Sequence, residues 1–154
     1  MIRAWRLTRR GHATPAREAF SGSGAELYGG RWNRVGTRAA YVSSTRSLAA
    51  LEFLANVDPE DLPDDLVFVG ISFDEDDVEV SIPPHGWDSL GSSSAMDFGE
   101  AWLRMLAAPV LRVPSAIIKA ERNYMINPAH VRAAAFAIDP DLENFVFDER
   151  LIGP

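Results

Sequence analysis

At 154 residues, 47% hydrophobic and 24% charged, the chain has the size and composition of one globular domain built around a single sizeable core. It contains no cysteine, which excludes disulfides, thiolate metal sites and a cysteine nucleophile and fits a reducing compartment. The net charge of −7 argues against a general nucleic-acid binder, but it averages two unlike parts. Up to Arg46, nine arginines stand against two acids, Glu18 and Glu26, leaving +7; the remainder sets six basic residues against twenty acids, leaving −14. Every basic residue of the first part is Arg, whose planar fork suits phosphate and carboxylate groups. That part is therefore expected either to meet an anion or to pair with the acidic remainder inside one fold.

In chain order, Ile2 to Thr8 alternates apolar and polar residues and predicts a first strand. The N-terminus has charge but no apolar stretch behind it, and no run reaches the length of a membrane span, so a cytoplasmic protein is expected. Residues 22–36, GSGAELYGGRWNRVG, read as a long glycine-punctuated loop, and loops of that length are usually functional. Ala39 to Ser43 predicts a short strand. A helix follows from about Ser47 to Val57, with Ser44 or Thr45 as cap and Asp58-Pro59 closing it. Leu66 to Phe73 is a central strand by its β-branched and aromatic content, Asp74 to Asp77 a turn, and Val78 to Ile82 a further strand ended by Pro83-Pro84.

Residues 86–97, GWDSLGSSSAMD, read as a flexible loop. Asp97 is expected to cap a helix through Met105, with Phe98, Ala101, Trp102 and Met105 on one face. Pro109 to Pro114 is expected to be extended, Ile117-Ile118 to continue as a strand, and Asn127-Pro128 to turn. Phe136 to Ile138 and Phe145 to Phe147 look like the last strands. Short strands with a few helices, and no repeats or linkers, predict a single α+β domain over residues 1–154.

One residue interrupts this pattern. In SLAALEFLANV, from Ser47 to Val57, the only charge is Glu52, and the 3.6-residue period places it on the stripe of Leu48 and Ala55. A carboxylate on a buried stripe costs several kcal/mol, as an order of magnitude, unless it is paired or hydrogen-bonded. The alternative is that Glu52 lies on a narrow solvent-facing edge. The Arg-rich loop, Trp32 and Tyr41 just upstream suit a ligand that carries phosphates, a sugar and a flat ring. His12, His85 and His130 are widely separated and lack metal-ligand spacing, so no metal is expected. Asn123 and Asn127 read as turn and backbone-satisfying residues.

Taken in order, Trp5-Arg6, Gly29-Gly30-Arg31-Trp32-Asn33, Ala40-Tyr41-Val42-Ser43, Ala50-Leu51-Glu52, Val113-Pro114-Ser115 and Asn127-Pro128 with His130 resemble the RES domain, over nearly the whole chain. The resemblance implies an ADP-ribosyltransferase-like fold with a mixed sheet and a few flanking helices. It also implies a toxin of a bacterial toxin–antitoxin pair, with an Xre-like helix-turn-helix antitoxin, that cleaves the nicotinamide–ribose bond of NAD. On that basis Glu52 is expected to stabilise the developing sugar cation, Arg6 and Arg31 to hold the pyrophosphate, Tyr41 to flank the nicotinamide ring, and Ser115 to bond near the ribose or position Glu52. Arg6 is favoured for the essential arginine and Arg31 for a second contact. Water, inorganic phosphate and a protein side chain all remain open as acceptors. The residues alone leave two other functions standing. One is an RNA-directed module using the basic first third; the other is a non-catalytic interaction module in which Glu52 and the arginines are structural.

Overall fold

Leu66 to Phe73 is buried along nearly its whole length, as its run of apolar residues requires, and it lies inside a β-sheet. In the computed structural model, which describes residues 1–153, the strands are β1 (Ile2–Arg9), β2 (Ala40–Ser43), β3 (Leu66–Phe73), β4 (Val78–Val80), β5 (Val110–Pro114), β6 (Arg122–Ile126), β7 (Ala137–Ile138) and β8 (Glu143–Asn144). The helices are α1 (Ser23–Tyr28), α2 (Arg46–Ala55), α3 (Ser93–Met105) and α4 (Glu149–Ile152). The sheet order is β4-β5-β6-β2-β1-β3-β7, with β8 also paired to β3. The β4–β5 pair is parallel and the other pairs are antiparallel. This is the expected α+β class with a mixed sheet. Among the described residues no helix is long and apolar enough to cross a membrane.

The sheet has a seam. β1 and β3 pair continuously from Ile2↔Phe73 to Arg9↔Leu66, whereas β1 and β2 meet at one pair, Trp5↔Ser43. Beyond that pair the halves β1-β3 and β2-β6-β5-β4 part. One face of the whole sheet is covered by Ala13, Ala19 and Phe20 from two short 3-10 segments, packed on Ala4, Val42, Val69, Ile71 and Tyr124. The other face carries two separate clusters. Ala49 and Ala50 of α2 pack on Leu7, Leu66 and Phe68, and Trp102 and Leu103 of α3 pack on Trp32, Leu111 and Met125. Where the two clusters fail to merge, the strand register leaves the row Ser43↔Asn123.

Several expectations are corrected. Residues 22–36 are not all loop, because Ser23–Tyr28 form a helical turn and a half. α3 begins four residues before the expected cap: Ser92 Oγ accepts from the Ala95 amide at 3.2 Å, and Asp97 lies inside the helix. Ile117 and Ile118 belong to a turn, and the missing strand is β6. Phe145 and Phe147 lie outside β8; their rings pack on Phe68 and Phe53, at 4.8 and 6.4 Å between centroids. α2 is capped by Thr45, whose Oγ1 accepts from the Leu48 amide at 3.0 Å. The buried residues of α2 are Leu48, Ala49 and Ala50.

α3 crosses the loop at residues 29–39 at backbone contact. A Cβ on Gly99 would lie 1.8 Å from the Trp32 carbonyl oxygen, so only glycine permits this approach. At an open helix position, Gly→Ala gains about 1 kcal/mol from propensity. Here Gly99→Ala should instead lose at least about 1–3 kcal/mol, the scale of overpacking, and lower the melting temperature by several degrees. A melting temperature at or above the parent's would overturn the contact.

Candidate active site

Glu52 projects from the middle of α2 toward the polar row between the two clusters. Its Oε1 accepts two hydrogen bonds, from Ser115 Oγ at 2.8 Å and from Asn123 Nδ2 at 2.7 Å. Ser115, fully buried just after β5, accepts from the amides of Ile117 and Ile118 at 3.1 and 3.0 Å. With its lone pairs so occupied, the hydroxyl proton is directed to Glu52. The turn at Ile117-Ile118, where a strand was expected, is what brings those amides round. Asn123 faces Ser43 across β2–β6, and Ser43 Oγ donates to Asn123 Oδ1 at 2.7 Å. No ion pair neutralises Glu52 among the described residues.

The arginines divide sharply. Arg3, Arg9, Arg34, Arg38 and Arg46 pair with Asp139, Asp65, Asp97, Glu26 and Glu143. Arg10 bonds the Asn144 side chain, and exposed Arg17 bonds the carbonyls of Ala134 and Phe136. The expectation of pairing with the acidic remainder therefore holds for four of the nine, Arg3, Arg9, Arg34 and Arg46, while Arg38 pairs within the first part. Arg6 and Arg31 differ, being partly buried and making no ion pair among the described residues.

Arg6 follows Trp5 immediately, at the seam. Its Nη1 reaches across the gap to the Tyr41 carbonyl at 3.1 Å, while its Nε is shut off from solvent with no hydrogen-bond partner among the described residues. Burial pushes this guanidinium below its ordinary pKa, partly countered by nearby Tyr41. An arginine keeps its charge even so, and a buried charge calls for an anion.

Tyr41 is held from its tip. Its hydroxyl donates to Asn33 Oδ1 at 2.6 Å and accepts from the Trp32 amide at 3.3 Å. Burial raises its pKa well above the usual phenol value, so the hydroxyl stays protonated. Asn33, fully buried, places Nδ2 within 2.9 to 3.1 Å of the carbonyls of Ala25, Arg34 and Thr37, which share its two N–H donors. Gly30 is required beside it, since a Cβ there would lie 2.8 Å from Asn33 Oδ1 and from the Tyr41 ring. Buried Glu100 of α3 fixes the far side of the loop, accepting from the Arg34 amide at 2.7 Å and Thr37 Oγ1 at 2.9 Å.

Arg31 donates from Nη1 to the carbonyls of Trp87 and Ser89, at 2.9 and 3.2 Å. Trp87 in turn stacks on Trp32, 5.7 Å between centroids. Asp88, between those carbonyls, bonds Lys119 at 2.7 Å. The segment 86–97, expected to be flexible loop, is thus tied at residues 87–89 both to the loop of Arg31 and to the turn that follows Ser115.

The fold thus joins Glu52 to Ser115 directly and Arg6 to Tyr41, with Arg31 on the adjoining loop. Sequence reasoning missed Ser43, Asn33 and Glu100, and it assigned Asn123 to a turn, whereas Asn123 bonds Glu52 from inside a strand. Asn127 does satisfy backbone, donating to the Leu103 carbonyl at 2.8 Å. A usable signal was the placing of Asn123 between apolar Ile117-Ile118 and Tyr124-Met125-Ile126, because asparagine is depleted in strands and rarely stands there without a partner.

The chain can be set beside known proteins on this geometry. "Toxin Res" of Photorhabdus laumondii is 36% identical over 128 residues, covering 80% of each chain. "Prs ADP-ribosylating toxin" of a Sphingobium species is 34% identical over 159 residues, covering 96% of this chain and 95% of that protein. The solved M. tuberculosis MbcT–MbcA toxin–antitoxin complex contains a chain of similar fold, with a TM-score of 0.64 at 16% identity over 94% of this chain and 84% of that one. The RES domain model matches residues 3–148, a span that holds the seam, the arginine loop and the Glu52 network alike, and this chain belongs to the RES domain family.

Proposed function

We propose that this protein is the toxin of a toxin–antitoxin pair and that it cleaves the nicotinamide–ribose bond of NAD, passing the ADP-ribosyl group to an acceptor. The observation that carries this is the Glu52 carboxylate, fixed by two neutral donors and, among the described residues, paired with no cation. When the glycosidic C–N bond breaks, its electron pair leaves with nicotinamide, which departs neutral, and the ribose is left oxocarbenium-like. A preorganised carboxylate stabilises that cation, as in glycoside hydrolysis. The acceptor then supplies the electron pair for the new bond at the same carbon.

Arg6 and Arg31, the two N-terminal guanidiniums that are partly buried and have no carboxylate partner among the described residues, suit the pyrophosphate. Tyr41, kept neutral and held at its tip, offers a ring face to nicotinamide. Ser115 orients Glu52. The names of the relatives, a toxin, an ADP-ribosylating toxin and a toxin–antitoxin complex, point the same way. An RNA-directed function is less well supported, because five of the nine N-terminal arginines are already committed to acidic side chains.

Glu52→Gln isolates the charge. The Gln amide oxygen can accept both the Ser115 and Asn123 hydrogen bonds, so folding should survive while the negative charge is lost. Nicotinamide release should fall by about two or more orders of magnitude, the scale of losing one preorganised electrostatic group, at an unchanged melting temperature. A folded variant with parental turnover refutes the role.

Arg6→Ala should weaken NAD binding by about 1.5–3 kcal/mol, as for hydrogen bonds to charged groups. Calorimetry of a folded Arg6→Ala variant that binds NAD like the parent would remove Arg6 from the site.

An enzyme that consumes cytoplasmic NAD needs restraint in its own host, and an Xre-like partner covering the arginine-lined site would supply it. Co-expression should restore growth and abolish nicotinamide release. A complex that cleaves NAD at full rate counts against this partner.

A further inference from the structure

Both hydrogen bonds to Glu52 fall on the same oxygen. Oε1 takes Ser115 Oγ and Asn123 Nδ2, and Oε2 takes none among the described residues. The Asn123 amide can be placed only one way round, because a carboxylate only accepts, so Nδ2 must face Glu52 and Oδ1 must face away. The away-facing oxygen meets Ser43 Oγ at 2.7 Å. Ser43 is itself buried, in the strand-pair row where β2 meets β6 on one side and Trp5 of β1 on the other.

This row is expensive to keep polar. It lies on the sheet face between two apolar clusters, and apolar residues at Ser43 and Asn123 would let those clusters merge and would suit strand propensity better. The Ser–Asn pair therefore needs a reason beyond folding, and its geometry supplies one.

We propose that Ser43 and Asn123 are positioning residues for Glu52. Ser43 locks the Asn123 amide, Asn123 and Ser115 hold Oε1, and the carboxylate is thereby aimed so that Oε2 faces the ribose in the transition state. This rests on the NAD-cleaving function proposed above. Neither residue touches substrate; each acts through Glu52, and Ser43 acts only through Asn123.

The test is steady-state nicotinamide release against NAD concentration, with thermal melting on the same preparations, for Ser43→Ala, Asn123→Ala, the double variant, Ser43→Thr and Glu52→Gln. Misaiming a catalytic group costs about ten- to a hundredfold, so kcat should fall by that factor in Ser43→Ala and Asn123→Ala while KM stays within about twofold. The double variant should be no slower than Asn123→Ala alone, since the two act in series. Ser43→Thr, which keeps the hydroxyl, should restore parental kcat. If Asn123→Ala fails to fold, the Ser43→Ala and Ser43→Thr pair decides the matter alone.

Parental kcat in folded Asn123→Ala or Ser43→Ala, additive losses in the double variant, or activity lost only in step with folded protein would each overturn the proposal. Such results with Glu52→Gln inactive would sink the positioning role and leave NAD cleavage standing. A parent that releases no nicotinamide, or a fully active Glu52→Gln, would sink NAD cleavage and this role with it.

Discussion

The pairing of β1 with β2 is confined to Trp5 and Ser43, and much of the candidate site hangs on that restriction. A strand that stops pairing leaves backbone groups without partners, and these must be satisfied elsewhere. The Tyr41 carbonyl takes the Arg6 guanidinium instead of a strand amide. A sheet that stayed closed along β1 and β2 would give Arg6 neither that acceptor nor the gap it crosses. The single pair is reinforced from the side: the guanidinium carbons of Arg3 and Arg46 lie 5.4 and 4.8 Å from the centre of the Trp5 ring. Each is held there by an acid, Asp139 and Glu143. Cation–π contacts at such exposed sites contribute about 0.5–1 kcal/mol each, enough to steady a one-pair joint.

Around the seam, charge is spent in two ways. Five N-terminal arginines meet acids, four of them in later or more distant parts of the chain, so most of the +7 surplus is structural. Arg6, Arg31 and Glu52 are partly buried and make no ion pair among the described residues. Cations and an anion of this kind are kept apart by the fold instead of being allowed to neutralise one another, and that separation is what a bipolar ligand with a phosphate end and a cationic ring end requires. The loop bearing Arg31 is held by Asn33, Glu100 and the Trp32–Trp87 stack, so its guanidinium is presented from a braced backbone.

The sequence made α2 legible because helices are local. Thr45, the apolar period and the lone Glu52 all lie within a dozen residues, and the capping hydrogen bond falls on one of the two residues the pattern offered. β3 was legible for a similar reason, as a continuous β-branched and aromatic run. The start of α3 was not, because its first turn, Ser93 to Met96, offers little apolar periodicity and the stronger signal begins at Phe98. β6 was hidden by its polar first half, Arg122-Asn123, while Ile117-Ile118 imitated a strand that the Ser115 turn does not permit.

Composition and spacing by themselves determined the α+β class, the arginine asymmetry and the anomaly of Glu52, each of which is a property of neighbours along the chain or of a simple count. They could not determine which arginines are spent on acids, since Arg3 with Asp139 and Arg46 with Glu143 are joined only when the chain closes on itself. Nor could they place Ser43 opposite Asn123, eighty residues on, because cross-strand register is fixed by the packing of both sheet faces together. The charge of Glu52 was written in one helix; its aim came from three other segments, brought to it by the tertiary fold.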